Sequence, residues 1–186
     1  MTTEAVLDSV AAPSGRFGTF RALGGFFKRN LTPRTGAAVT IWRVEARLAT
    51  PLALLFIATL GRWEGALAMG AVMAVYAAVF LFLLDGERVV DEMRDWTGQR
   101  RWGRRWVVHD QHAGSAGRHR LLLIPAMVMV LGPFWRAVTF HVGSVPRWPA
   151  YGLSVGGSFP HSLLWTGLVM GGIYELAIRP LFETVF

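Results

Sequence analysis

Twenty consecutive residues, Gly65 to Leu84, carry no charge, and Asp85 and Gly86 close the run. At 1.5 Å per residue a helix of that length crosses the ~30 Å hydrocarbon core of a bilayer. The rest of the chain is consistent with such a segment. Of 186 residues, 53% are hydrophobic and only 17% charged, with a mean hydropathy of +0.38, whereas a soluble domain carries about 25% charged residues. The expected fold is therefore an all-α integral membrane protein with about four membrane segments. Cysteine is absent, which removes disulfides, thiolate nucleophiles and Cys-based metal sites from consideration.

The other three apolar segments are irregular. Leu48 to Leu60 is short and contains Pro51, so it is expected to be re-entrant rather than a straight span. Leu121 to Val142 is long enough, but Pro125, Gly132, Pro133 and Arg136 interrupt it, and it too should be broken or re-entrant. His161 to Phe182 closes the set, with Gly167 and Gly171 spaced for close helix packing and Glu175 four residues before Arg179. Two interrupted segments, each followed by a longer helix, suggest an inverted repeat with a site between its halves.

Orientation follows from the cations. Seven Lys or Arg precede residue 48 and eight lie between Asp85 and Arg120, while Arg62 and Arg147 alone mark the other two connections. The positive-inside rule then places the protein in the cytoplasmic (inner) membrane as a multi-pass chain, with both termini and the loop 85–120 cytoplasmic. In this reading residues 1–44 form a basic, aromatic cytoplasmic segment and 45–186 a single polytopic domain. Ser144 should lie on the opposite side from Ser115. Val89, Val90, Met93 and Trp96 share one helical face, suggesting an amphipathic extension on an anionic leaflet. Arg100, Arg101, Arg104 and Arg105, with Trp102 and Trp106, would face the membrane surface there.

Catalytic motifs are not found: no GxSxG, HExxH, P-loop or paired carboxylates. An enzyme is therefore not expected, nor a cofactor. His109, Asp110, His112 and His119 lack a recognised metal-ligand spacing, and a haem reading of His141 and His161 has no further support. Nucleic-acid binding would need a soluble basic domain for which the chain has no room.

Arg136 is the residue that asks for a role. A guanidinium at mid-membrane costs roughly 2.5–3.5 kcal/mol on insertion scales, so it normally faces a cavity, a counter-charge or a polar ligand. Snorkelling to a nearby interface at His141 to Gly143 is the simpler alternative. Gly132 and Pro133 favour a cavity, because irregular backbone at membrane depth must be satisfied by protein or water.

The stretch "DEMRDWTGQRRWGRR", with Asp91, Trp96, Gly98, Arg100 and Gly103, resembles a motif of the DedA/VTT (SNARE-associated) membrane protein family. "PFWR" resembles that family's Pro-Gly-x-Arg, giving Pro133 and Arg136, "GSVPRWPAY" resembles the following segment, and Trp165 sits where the family often has a Trp. Phe134 stands where the motif has glycine, Leu131 where an additional Arg is common, and Val90 where Gly is usual. The resemblance implies two re-entrant hairpins meeting near the midplane, and movement of a phosphate-bearing lipid or lipid carrier across the bilayer. Arg136 would then bind the phosphate, with Pro133, Glu45, Pro51 and Glu175 as further site residues and Glu45 or Glu175 as the counter-charged partner. The partners would be membrane lipids with anionic headgroups, and a homo-oligomer or larger complex is compatible. The alternative is a non-catalytic accessory or structural subunit of a larger membrane complex.

Overall fold

Thr32 opens the first helix by accepting a hydrogen bond from the Thr35 amide, with Pro33 at the first helical position, where its missing N–H is harmless. The structure, a computed structural model, describes residues 32–99 and 126–181, and every regular element among them is helical. Helix α1 runs unbroken over Pro33–Leu60. The separate re-entrant segment expected at 48–60 is therefore not formed, and the helix begins within the stretch assigned to an N-terminal segment. Pro51 lies on an exposed side of α1, where it forfeits one intrahelical bond without redirecting the chain. Gly61, at φ +92, ends α1 and starts α2, Arg62–Leu84.

Helix α2 is the one described helix long and apolar enough to cross a membrane, and it is the centre of the fold. It packs most extensively on α1 and, among the later elements, on Pro133–Val142, Arg147–Gly156, Ser158–Ser162 and Leu163–Met170. Small residues let helix backbones approach closely, and the glycines of α2 show where this happens. A Cβ on Gly65 would lie 2.7 Å from the Phe56 carbonyl of α1. One on Gly70 would meet Phe159 at 3.0 Å.

Helix α3, Arg88–Gly98, buries Val89, Val90 and Met93 in the main core beside Phe80, Leu81, Leu84 and Ala137. Its apolar face is thus covered by protein, which corrects the expectation that it lies on a leaflet. The strongly basic remainder, Arg100 to Arg105 with Trp102 and Trp106, lies outside the described residues, as do His109, Asp110, His112 and His119.

A helical turn at 126–130 breaks at Leu131 and Gly132, and α4 resumes as Pro133–Val142. Helix α5, Arg147–Gly156, occupies what the sequence suggested was a connection. Gly157 then leads into a helical rod: α6, Ser158–Ser162, followed by π-helical Leu163–Met170, α-helical Gly171–Ile173 and π-helical Tyr174–Ile178.

The ends of α2 give the direction of every other element. Thr32 and Thr35 both hydrogen-bond Glu87, just beyond the Leu84 end. At that same end His141 meets the Leu81 carbonyl at 3.1 Å, and Arg147 lies 3.6 Å from Asp85. The rod runs the other way: Ser162 bonds the Ala66 carbonyl, Gly167 abuts Trp63, and Gly171 abuts Arg62. Residues 142–147 therefore lie at the same end of α2 as α3, not at the opposite one. The rod finishes at the Arg62 end, away from Thr32. Both placements correct the sequence-based orientation, and the cause is α4, which returns toward the Asp85 end instead of leading to the far one.

Candidate functional site at a broken helix

Pro133 decides the local geometry. It follows Met129 by four residues and has no N–H, so the Met129 carbonyl cannot receive its helical hydrogen bond. Two side chains from the rod replace the lost donor: His161 Nδ1 and Trp165 Nε1 each lie 2.9 Å from the Met129 oxygen. A carbonyl only accepts, so Nδ1 of His161 carries the proton.

Beyond the break, α4 is anchored by aromatic packing. Phe134 stacks on Trp42 of α1 at 5.0 Å and meets Phe80 of α2 edge-on at 5.3 Å. Phe134 is thus a core aromatic, and each ring pair is worth about 0.5–1.5 kcal/mol beyond its packing. Arg94 donates to the His141 carbonyl at 2.7 Å, placing a cation at the C-terminal end of α4. With both ends fixed, Arg136 points inward.

The Arg136 side chain is fully buried. It donates one hydrogen bond, from Nη2 to Ser158 Oγ at 2.9 Å, while Nε and Nη1 have no partner among the described residues. Ser158 can accept because its own hydroxyl proton goes to the Ser154 carbonyl. Glu45 of α1, 8% exposed, attracts Arg136 electrostatically, but no ion pair joins them. Snorkelling is excluded by this burial.

Beside the guanidinium is an open apolar pocket of about 330 Å³, lined by Val128, Met129, Gly152, Leu153, Gly156, Gly157 and Pro160. Its floor is Gly157. A Cβ there would lie 3.3 Å from Arg136 Nη1 and would collide with Val128 Cγ1 at 2.1 Å. The missing side chain lets the charged group approach the pocket wall, and Val128 fills the remaining gap.

The expected site residues are divided by this arrangement. Arg136, Pro133 and Glu45 come together, with Pro133 buried at the start of α4. Pro51 is exposed, six residues beyond Glu45 on α1. Glu175 is bound instead to Arg62, 3.1 Å away at the far end of the rod, so it is not a partner of Arg136. His141 and His161 each contact a different backbone carbonyl, Leu81 and Met129. Sequence reasoning missed Ser158, Gly157 and Val128. The signal for the first was present: Ser154, Ser158, Ser162 and Thr166 recur every four residues, and all four are buried.

Compared with protein-family models, curated proteins and solved structures, the chain matches none.

Proposed function

We propose that this protein is a membrane carrier that binds the anionic, phosphate-bearing headgroup of a lipid or lipid carrier at Arg136 and moves it across the bilayer. The observation that carries the reading is a fully buried guanidinium, two of whose nitrogens have no partner among the described residues, beside an open apolar pocket. Such a group is costly to leave unsatisfied, since hydrogen bonds to charged groups are worth about 1.5–3 kcal/mol each. A phosphate oxygen pair matches its planar fork, and the pocket suits the adjoining hydrocarbon. In this reading α1, α2 and the rod cross the membrane. The break at residues 131–132 enters from the Asp85 end, which faces the cytoplasm with the basic loop. The resemblance to the DedA/VTT family agrees with such a role.

The test is headgroup translocation by the full chain in vesicles containing a fluorescent anionic phospholipid. Lysine keeps the charge of Arg136 and loses the fork, while glutamine loses the charge. Arg136→Lys is expected to impair transfer and Arg136→Gln to nearly abolish it, with insertion unchanged. Wild-type transfer by Arg136→Gln would overturn the proposal and leave the accessory-subunit alternative.

A further inference from the structure

We propose that the helical turn 126–130 is a gate between the pocket and Arg136, latched shut by His161 and Trp165 through the Met129 carbonyl. The inference rests on the headgroup reading for its purpose, but its geometry is separate. Arg136 does not line the pocket, whereas Val128 and Gly157, which meet beside its Nη1, both do. Any pocket ligand reaching the unpaired nitrogens must first move Val128.

The turn is built to move as a unit. On its C-terminal side the helix is already interrupted at Leu131 and Gly132, where the backbone is extended and a Cβ on Gly132 would touch nothing. Displacement there breaks no continuous helical ladder. Among the described residues nothing covers its outer side at Val130, which is 65% exposed. Two things hold it: Val128, buried at 6% exposure as part of the main core, and the pair of side-chain bonds to the Met129 carbonyl, which exist because Pro133 supplies no backbone donor.

These bonds are of the right strength for a gate. One hydrogen bond of net worth ~1 kcal/mol shifts an opening equilibrium about 2- to 12-fold across its usual range. Two such bonds keep the closed form dominant without making the open form inaccessible. A ligand that fills the pocket and satisfies Nε and Nη1 would favour the open form by its differential contacts.

The test reads the exposure of Arg136 directly. The purified full chain in nanodiscs is treated with an arginine-specific dicarbonyl, and modification of Arg136 and of Arg62 is followed by peptide mass spectrometry. Trp165→Phe keeps the ring and removes the donor, and Val128→Ala trims the plug without touching the latch. Arg136 should react slowly in the wild type; Trp165→Phe should raise its rate about 2- to 12-fold and Val128→Ala should raise it as well, while Arg62 keeps its own rate in both. Wild-type rates at Arg136 in both variants would overturn the gate. So would a parallel rise at Arg136 and Arg62 in Trp165→Phe, because the bond would then hold the whole fold. Dodecyl phosphate serves as the headgroup probe. If the variants respond as expected but this amphiphile gives Arg136 no protection in Val128→Ala, the gate stands and the headgroup reading fails.

Discussion

Arg62 Nη1 lies 3.1 Å from Glu175 Oε2, closing the start of α2 onto the far stretch of the rod. The same guanidinium donates through Nε to the Gly167 carbonyl at 2.7 Å, and its stem covers Gly171. The two contacts differ in worth. Glu175 is half exposed, so its ion pair contributes at most about 1 kcal/mol. The bond to Gly167 is charge-assisted and carries the packing with it. Glu175→Gln should therefore leave thermal stability nearly unchanged, and Arg62→Ala should lower it by about 1.5–3 kcal/mol. Equal losses in the two unfolding curves would contradict this division.

Glu45 and Arg136 form a pair of a different kind, buried and attracting without touching. Removing one member leaves the other uncompensated, whereas replacing both with neutral groups of similar size is often neutral or stabilising by about 1–4 kcal/mol. Arg136→Met alone should destabilise, and adding Glu45→Gln should restore or exceed wild-type stability. Neither variant should transfer anionic lipid. A double variant less stable than the single one would mean that the charges hold the fold.

The orientation yields an independent test, made simple by the absence of native cysteine. Single cysteines at Arg88 and Trp148 lie at the Asp85 end of α2, and those at Glu64 and Leu181 at the Arg62 end. Trp148 is 82% exposed and accessible to a reagent. With α2 across the bilayer, an impermeant maleimide should label the first two from one side and the last two from the other. Labelling of Arg88→Cys and Trp148→Cys from opposite sides would instead make Leu121–Val142 a full crossing.

What the sequence reveals and what it hides have physical causes. The central helix was legible because twenty uncharged residues permit little else, and the break at Gly132 because glycine and proline remove what a helix needs. Pro51 misled because proline penalises a helix locally without always ending it, and here α1 had packing on both sides of that position. The pairing of Glu175 was hidden because Arg62 is distant in sequence and meets it only through the antiparallel rod. Spacing along one chain cannot show which of two carboxylates a buried arginine faces; that depends on helix direction, which α4 reverses.

Ser154 and Ser158 lie one turn apart, both fully buried, yet they should respond in opposite senses to the same change. Ser158 Oγ is the one hydrogen-bond partner of the Arg136 guanidinium among the described residues. Ser158→Ala strips the guanidinium of that bond and should cost about 1.5–3 kcal/mol, the range for hydrogen bonds to charged groups. Ser154 Oγ has no partner among the described residues. A buried hydroxyl in that state is a penalty of about 1–3 kcal/mol, so Ser154→Ala should be neutral or stabilising, since the backbone carbonyl that Ser158 uses is retained. Thermal unfolding of the two variants in the same detergent separates the cases. If Ser154→Ala were the more damaging, the Ser154 hydroxyl would have to be satisfied by a group that enters from the pocket, and the closed wall at Gly157 and Val128 would need to be redrawn.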